Sequence, residues 1–240
     1  MFWPGLASAG LSALAFLGTV FFLPESLPKE SRKPFASKAD AASDKKSGSA
    51  FAVFRTSPVL LSLVFASLFV AIAGGAMQSV FQFWGRDLFN YSLRDIGLHF
   101  TAFALFSAVG QAGLVGPLSK RFGEKRVAVA SALGVTAGLV LFSVATNAAM
   151  VWVAISVFGL ANGLFLPAIT SLVSFQADPS SRGAVMGIFN SSSSAGRIFG
   201  PALSGPVYFN MGPAAPFALS ALLTIVGVLL LSRLRSKPKN

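Results

Sequence analysis

Apolar residues in this 240-residue chain fall into long, nearly unbroken runs, without the alternation of a half-buried strand or the stripe of an amphipathic helix. Seven such runs lie at about 3–23, 58–84, 96–118, 127–146, 149–174, 183–208 and 214–232. A helix rising about 1.5 Å per residue needs about 20 residues to cross the hydrocarbon of a bilayer, so each run predicts a transmembrane helix. The last six are joined by short segments: GRDLFNYSLRD, SKRFGEKR, TNA, QADPSSR and NMGPA. Short connections predict sequential, antiparallel packing into an all-α bundle. The first run lacks the positive n-region of a signal peptide, and Pro24-Glu25-Ser26 ends it. Residues 24–56 are the one long polar segment, with the small polar composition of a flexible linker suited to an anionic leaflet. The expected organisation is therefore a span at 1–23, a basic linker at 24–56, and a six-helix bundle with a short tail at 57–240.

The run at 183–208 is the least uniform. Over GAVMGIFNSSSSAGRIFGPALSG, Ser192, Gly196, Gly200 and Ser204 recur every four residues. Such a small-residue ridge lets another backbone approach closely where lipid provides no hydrophobic drive to pack. Asn190, Ser194 and Arg197 are spaced i, i+4 and i+7 and share a different face. One face for packing and one polar face suit a helix that lines an aqueous path. A charge at mid-membrane costs roughly 2.5–3.5 kcal/mol even on insertion scales, so Arg197 is expected to face a cavity or a partner.

Composition agrees with a membrane protein: 54% hydrophobic and 11% charged, against about 25% charged in soluble domains. Cysteine is absent, so disulfides and thiolate metal sites are excluded, and one His with eight acids leaves little for a metal cluster or a hydrolytic triad. No cofactor or enzymatic activity is expected. The net charge of +11 invites a nucleic-acid reading, but the basic residues sit in short segments between apolar runs, as in cytoplasmic membrane loops. Segment 24–56 holds seven Lys and Arg, SKRFGEKR four, QADPSSR one and the C-terminal tail four, which is 16 of the 19. Only Arg86 and Arg94 lie in the opposite loops. The positive-inside rule then puts Asn240 in the cytoplasm and Met1 at the outer side of a multi-pass protein.

The loop Gly116-Pro117-Leu118-Ser119-Lys120-Arg121-Phe122-Gly123-Glu124-Lys125-Arg126 ends one helix, turns at Gly123 and starts another. It resembles the Gly-rich basic loop of major facilitator superfamily transporters, in the version found in their C-terminal half. Gly116, Arg121, Gly123 and Arg126 match that loop. Lys120 stands where the N-terminal version carries an Asp, so an Asp-dependent gating role does not transfer. Phe22-Leu23-Pro24-Glu25-Ser26 is similar to the end of the sixth span in that superfamily. Trp84-Gly85-Arg86-Asp87-Leu88-Phe89-Asn90-Tyr91 followed by Asp95-Ile96-Gly97 is similar to the loop after the seventh span, and Gly196-Arg197-Ile198-Phe199-Gly200-Pro201 to the eleventh. The order fits best the drug:proton antiporters, the subgroup that includes the tetracycline exporters.

The resemblance implies that residues 1–240 correspond to spans 6–12 of a twelve-helix fold. Residues 1–23 would be the last span of the N-terminal bundle and 57–240 the C-terminal bundle of two inverted three-helix repeats. It implies a secondary transporter exporting a small organic compound or drug by proton antiport, with the bilayer and an N-terminal half as partners. The spans that it places around the cavity carry Gln78, Gln82, Gln111, Asn162, Asn190, Ser194 and Arg197, with Phe81, Phe83 and Phe165 as apolar walls. Gly159, Gly163, Ser192, Gly196, Gly200 and Pro201 are expected at helix crossings. The almost wholly apolar runs at 127–146 and 214–232 are expected at the periphery, where Leu in place of Gly138 should matter less than Leu in place of Gly196 or Gly200. His99 is expected at the membrane interface. All eight acids fall in loops or at helix ends, so a proton-coupling carboxylate belongs to the N-terminal half. A seven-span receptor shares the span count and topology, and a non-transporting membrane scaffold is the other alternative. Against the receptor stand the absence of a Lys in the last span and of an acid–Arg–aromatic triplet at Gly116–Lys120.

Overall fold

The computed structural model describes residues 3–22, 57–179 and 181–234. The expected linker at 24–56 and the tail beyond residue 234 lie outside them. The chain divides into two units, Met1–Lys45 and Lys46–Asn240. The described part of the first is one helix, α1 (Trp3–Phe22), apolar apart from Ser8, Ser12 and Thr19 on one face.

The second unit contains six helices: α2 (Pro58–Phe89), α3 (Leu93–Phe122), α4 (Glu124–Ser143), α5 (Ala148–Gln176), α6 (Arg182–Met211) and α7 (Ala215–Arg233). They coincide with the six runs read from the sequence, extended by a few residues at most ends. Local chemistry sets those ends. Ser57 caps α2 ahead of Pro58, and Asn90 closes that helix in the left-handed region at φ 53°. Ser92 and Asp95 form a capping box at the start of α3, and Asn147 caps α5. Gly123 (φ 83°) and Gly212 (φ 97°) make the tight turns α3–α4 and α6–α7 in backbone conformations that L side chains rarely adopt.

Helix packing follows a twofold rule. The five most extensively packed pairs are α2 with α6, α3 with α5, α4 with α5, α2 with α7, and α4 with α7. Exchanging α2 for α5, α3 for α6 and α4 for α7 maps every one of these pairs onto another or onto itself. The same exchange maps the Gly123 turn onto the Gly212 turn. Two three-helix repeats, α2–α4 and α5–α7, are thus interlocked as expected.

Glycines make the two equivalent crossings possible. At α2/α6 a Cβ on Gly196 would stand 2.7 Å from Ala71 Cβ, and one on Gly200 would collide with the Ile72 carbonyl. At α3/α5 a Cβ on Gly163 would collide with the Ser107 carbonyl, and one on Gly159 would stand 2.8 Å from the Phe103 carbonyl. Hydroxyl pairs fasten the interfaces: Ser67 with Ser193 at 2.8 Å, Ser79 with Ser204 at 2.9 Å, and Thr136 of α4 with Thr224 of α7 at 2.8 Å. The ridge on α6 therefore runs through buried Ser193, with Ser192 only half-buried beside it. Gly138 corrects the expectation from the sequence. A Cβ there would meet Phe158 Cβ at 2.7 Å, because α4 crosses α5 as tightly as the other pairs.

One end of the bundle is held by aromatic rings. Phe81 and Trp84 of α2, Phe142 of α4 and Phe217 of α7 form edge-on and tilted contacts with centroids 5.3–5.8 Å apart. Phe81 is fully buried in this cluster and not on a cavity wall, whereas Phe83 is exposed. His99 joins them, stacked at 4.2 Å on Trp152 and 4.8 Å on Tyr91, with its Nδ1 2.7 Å from the Asp95 carbonyl oxygen. It is buried at 2% exposure, enclosed by these rings within the second turn of α3.

Candidate functional site

Five helices of the second unit, all but α6, are long and apolar enough by composition to cross a membrane. The exception spans 30 residues but carries Asn190, a run of serines and Arg197. Its buried side is Val185, Phe189, Ser193, Gly196, Gly200, Ser204 and Tyr208, held mainly against α2. Asn190, Ser194 and Arg197 are all exposed on the adjoining side, and the Arg197 guanidinium donates to Ser194 Oγ at 3.2 Å. The three residues read as one face do share one. Pro201 has no amide proton to return to the Arg197 carbonyl, and that oxygen lies 3.3 Å from where a Cβ of Gly75 would be. The charged residue is thus seated at the α2/α6 crossing, with its side chain free of the packing.

The remaining predicted residues divide by exposure. Gln78 and Gln82, one turn apart on α2, are exposed, as is Gln111 on α3. Asn162 on α5 is half-buried, its amide nitrogen 3.8 Å from the Cβ position of Gly74. Gly74, Gly75, Asn162 and Arg197 thus bring the middles of α2, α5 and α6 together. Phe165 does not belong with them. At 3% exposure it lies in the hydrophobic core.

Gln111 opens onto a groove of about 670 Å³ lined by Leu166, Pro167, Thr170, Ser174 and Phe175 of α5 and Met186 of α6. Sequence reading missed Thr170 and Ser174. Their i, i+4 spacing on the same helix as Asn162 was the available signal. It also missed the backbone that carries Gln111: Val109–Leu114 is π-helical. Such a segment inserts one extra residue into the helix and is often found at functional sites. Gly110, within it, packs so that a Cβ would stand 2.7 Å from the Leu160 carbonyl oxygen.

The two ends of the bundle differ chemically. At the end holding the aromatic cluster, Tyr208 donates to Asp87 Oδ2 at 2.6 Å, joining α6 to α2. In the loop beside it, burial first and the nearby Asp95 carboxylate second push the Tyr91 phenol above its ordinary value. At the other end stand Lys120, Arg121, Lys125 and Arg126. Lys125 donates to the Ser232 carbonyl at 3.1 Å and to that of Leu234, covering the end of α7. Gly116, which begins the basic motif, is exposed, with nothing within 4 Å of its Cβ position. Among the described residues, Asp87, Asp95, Glu124 and Asp178 lie in loops or in the first or last turn of a helix, and none lies mid-helix. Glu25, Glu30, Asp40 and Asp44 fall outside the described residues.

Comparison with known proteins gives this arrangement a context. The chain is 29% identical over 229 residues to the tetracycline resistance protein, class C, of Escherichia coli, covering 95% of this chain and 54% of that protein. It is also 29% identical to multidrug resistance protein 2 of Bacillus subtilis (strain 168), covering 94% of this chain and 55% of the relative. The chain therefore spans about half the length of the curated relatives it matches. Among solved structures, that of the human organic anion transporter MFSD10 (TETRAN) superposes with a TM-score of 0.72 at 24% identity, over 91% of this chain and 54% of that one, which establishes a shared fold. A crystal structure of the POT family transporter PepTSo matches with a TM-score of 0.65 at 16% identity. The family profile of the Major Facilitator Superfamily matches residues 86–240, and this multi-pass membrane chain belongs to that superfamily.

Proposed function

We propose that the chain is the C-terminal half, with the sixth span, of a secondary transporter that exports a small organic compound by proton antiport. The observation that carries this reading is the exposed polar face Asn190–Ser194–Arg197 on a helix of membrane-spanning length. In lipid that face is costly, and against a facing N-terminal half it lines water. Gln78, Gln82, Gln111 and Asn162 extend the same cavity from α2, α3 and α5, as polar anchors in a mostly apolar site. The curated relatives named for tetracycline and multidrug resistance support a drug-like substrate. The family match does not favour the seven-span receptor.

In this reading Arg121, Gly123 and Arg126, with Gly116, form the loop at the cytoplasmic end, and residues 24–56 link the halves. The distribution of Lys and Arg supports a cytoplasmic C-terminus. The proton carrier is a carboxylate of the N-terminal half, since no acid stands mid-helix among the described residues.

Reconstitution tests the reading. Liposomes containing the chain with a matching N-terminal half should accumulate a tetracycline-like substrate under an imposed pH gradient, and liposomes with the chain alone should not. Arg197→Ala should impair that flux at matched insertion. Arg197→Lys should restore only part of it, because charge is retained and the planar fork is lost. Robust pH-driven uptake by the chain alone would overturn the proposal.

A further inference from the structure

A second groove, of about 510 Å³, lies between the basic end of α3, α4 and α5. Its walls are apolar: Leu118 and Phe122 of α3, Ala130 and Gly134 of α4, Leu160 and Leu164 of α5. A single charged residue lines it, Arg126 in the first turn of α4. A second guanidinium, that of Arg121, lies 5.2 Å from the centroid of the Phe122 ring, itself a wall of the groove. The neighbouring cation is already engaged, because Lys125 reaches across to the carbonyls at the end of α7. From Arg126 to Gly134 the groove runs along α4 for about 12 Å of helix rise.

An aqueous substrate gains little from such a slot, which offers an apolar channel with cationic groups at one end only. We infer that this groove binds one anionic glycerophospholipid, its phosphate on Arg126 and Arg121 and one acyl chain along Ala130, Gly134, Leu160 and Leu164. The charge complements a phosphodiester, and a planar guanidinium grips two phosphate oxygens at once. The apolar walls continue from the cation in the direction that an acyl chain takes from its headgroup. Basic residues close to a membrane surface favour anionic lipid in just this way.

The test is native mass spectrometry of the purified 240-residue chain in detergent, titrated with phosphatidylglycerol, phosphatidylcholine or glycerol phosphate. One phosphatidylglycerol should be retained per chain in preference to phosphatidylcholine. Arg126→Gln should weaken that retention about fivefold, equivalent to about 1 kcal/mol. Ala130→Trp fills the channel while leaving both cations, and should displace the lipid without loss of helix content by circular dichroism. Equal retention of the two lipids, or an unchanged phosphatidylglycerol adduct in both variants, would overturn the inference. Displacement of the lipid by glycerol phosphate at equal concentration would also overturn it, because the acyl groove would then contribute nothing.

Discussion

Tyr208 and Asp87 join α6 to α2 through a 2.6 Å hydrogen bond at the aromatic end of the bundle. The phenol is buried and the carboxylate exposed, so solvent screens the charge and the bond is worth about 1 kcal/mol. Tyr208→Phe should lower thermal stability by that amount in detergent. Asp87→Asn should cost less, because the amide oxygen still accepts. An unchanged melting temperature in Tyr208→Phe would show that the contact contributes nothing.

The glycine crossings predict a graded substitution series. Gly163→Ala and Gly200→Ala push a methyl group into backbone, which has little room to yield, and should each destabilise by about 1–3 kcal/mol. Gly138→Ala belongs with them, although its position on an apolar peripheral run predicted a smaller effect. Gly97 has nothing within 4 Å of its Cβ position, and Gly97→Ala should be neutral or stabilise by up to about 1 kcal/mol. Thermal unfolding of the four variants distinguishes close packing from mere helix propensity.

These glycines also mark what the sequence could reveal. Helix number, order and approximate ends were legible because a bilayer demands long apolar runs, and short loops leave few ways to connect them. The polar face of α6 was legible because Asn190, Ser194 and Arg197 lie on one helix at helical spacing. Gly138, Phe81 and Phe165 were misread for one reason. In a membrane protein the lipid-facing side, the core-facing side and the walls of a mostly apolar cavity are similarly apolar, so hydropathy cannot tell them apart. The π-helical turn that carries Gln111 was invisible, since it leaves the apolar run at 96–118 unbroken.

The Thr136–Thr224 pair tests how much buried hydroxyls hold the apolar helices α4 and α7 together. Both side chains also bond carbonyls of their own helices, so neither is stranded when the other is removed. A double-mutant cycle with Thr136→Val and Thr224→Val should give a coupling of about 0.6 kcal/mol. A coupling above about 2 kcal/mol would mean that the pair, and not van der Waals packing, dominates this interface.

Tyr91 predicts a variant that improves the protein. Its hydroxyl is buried with no hydrogen-bond partner among the described residues, so Tyr91→Phe should be neutral or stabilising. The raised pKa fixes the sign of the pH effect. The folded chain holds the phenolic proton more tightly than the unfolded one, so this group's contribution is lost as pH rises above the ordinary value of 10.0. The difference in stability between Tyr91→Phe and the parent should therefore widen in alkaline solution, as thermal melts across pH would record.

The central claim is that the exposed polar face of α6 and the glutamines of α2 line water between two halves. Because the chain has no cysteine, single cysteines report on their positions without background. Gln78→Cys, Asn190→Cys and Ser194→Cys, each assembled with a matching N-terminal half in intact membranes, should react with a hydrophilic maleimide. Leu133→Cys on α4 and Leu222→Cys on α7, exposed but predicted to face lipid, should react only after denaturation, because a thiol in hydrocarbon does not ionise. If the first three cysteines are as inert as the last two in intact membranes, the cavity does not exist where this account puts it.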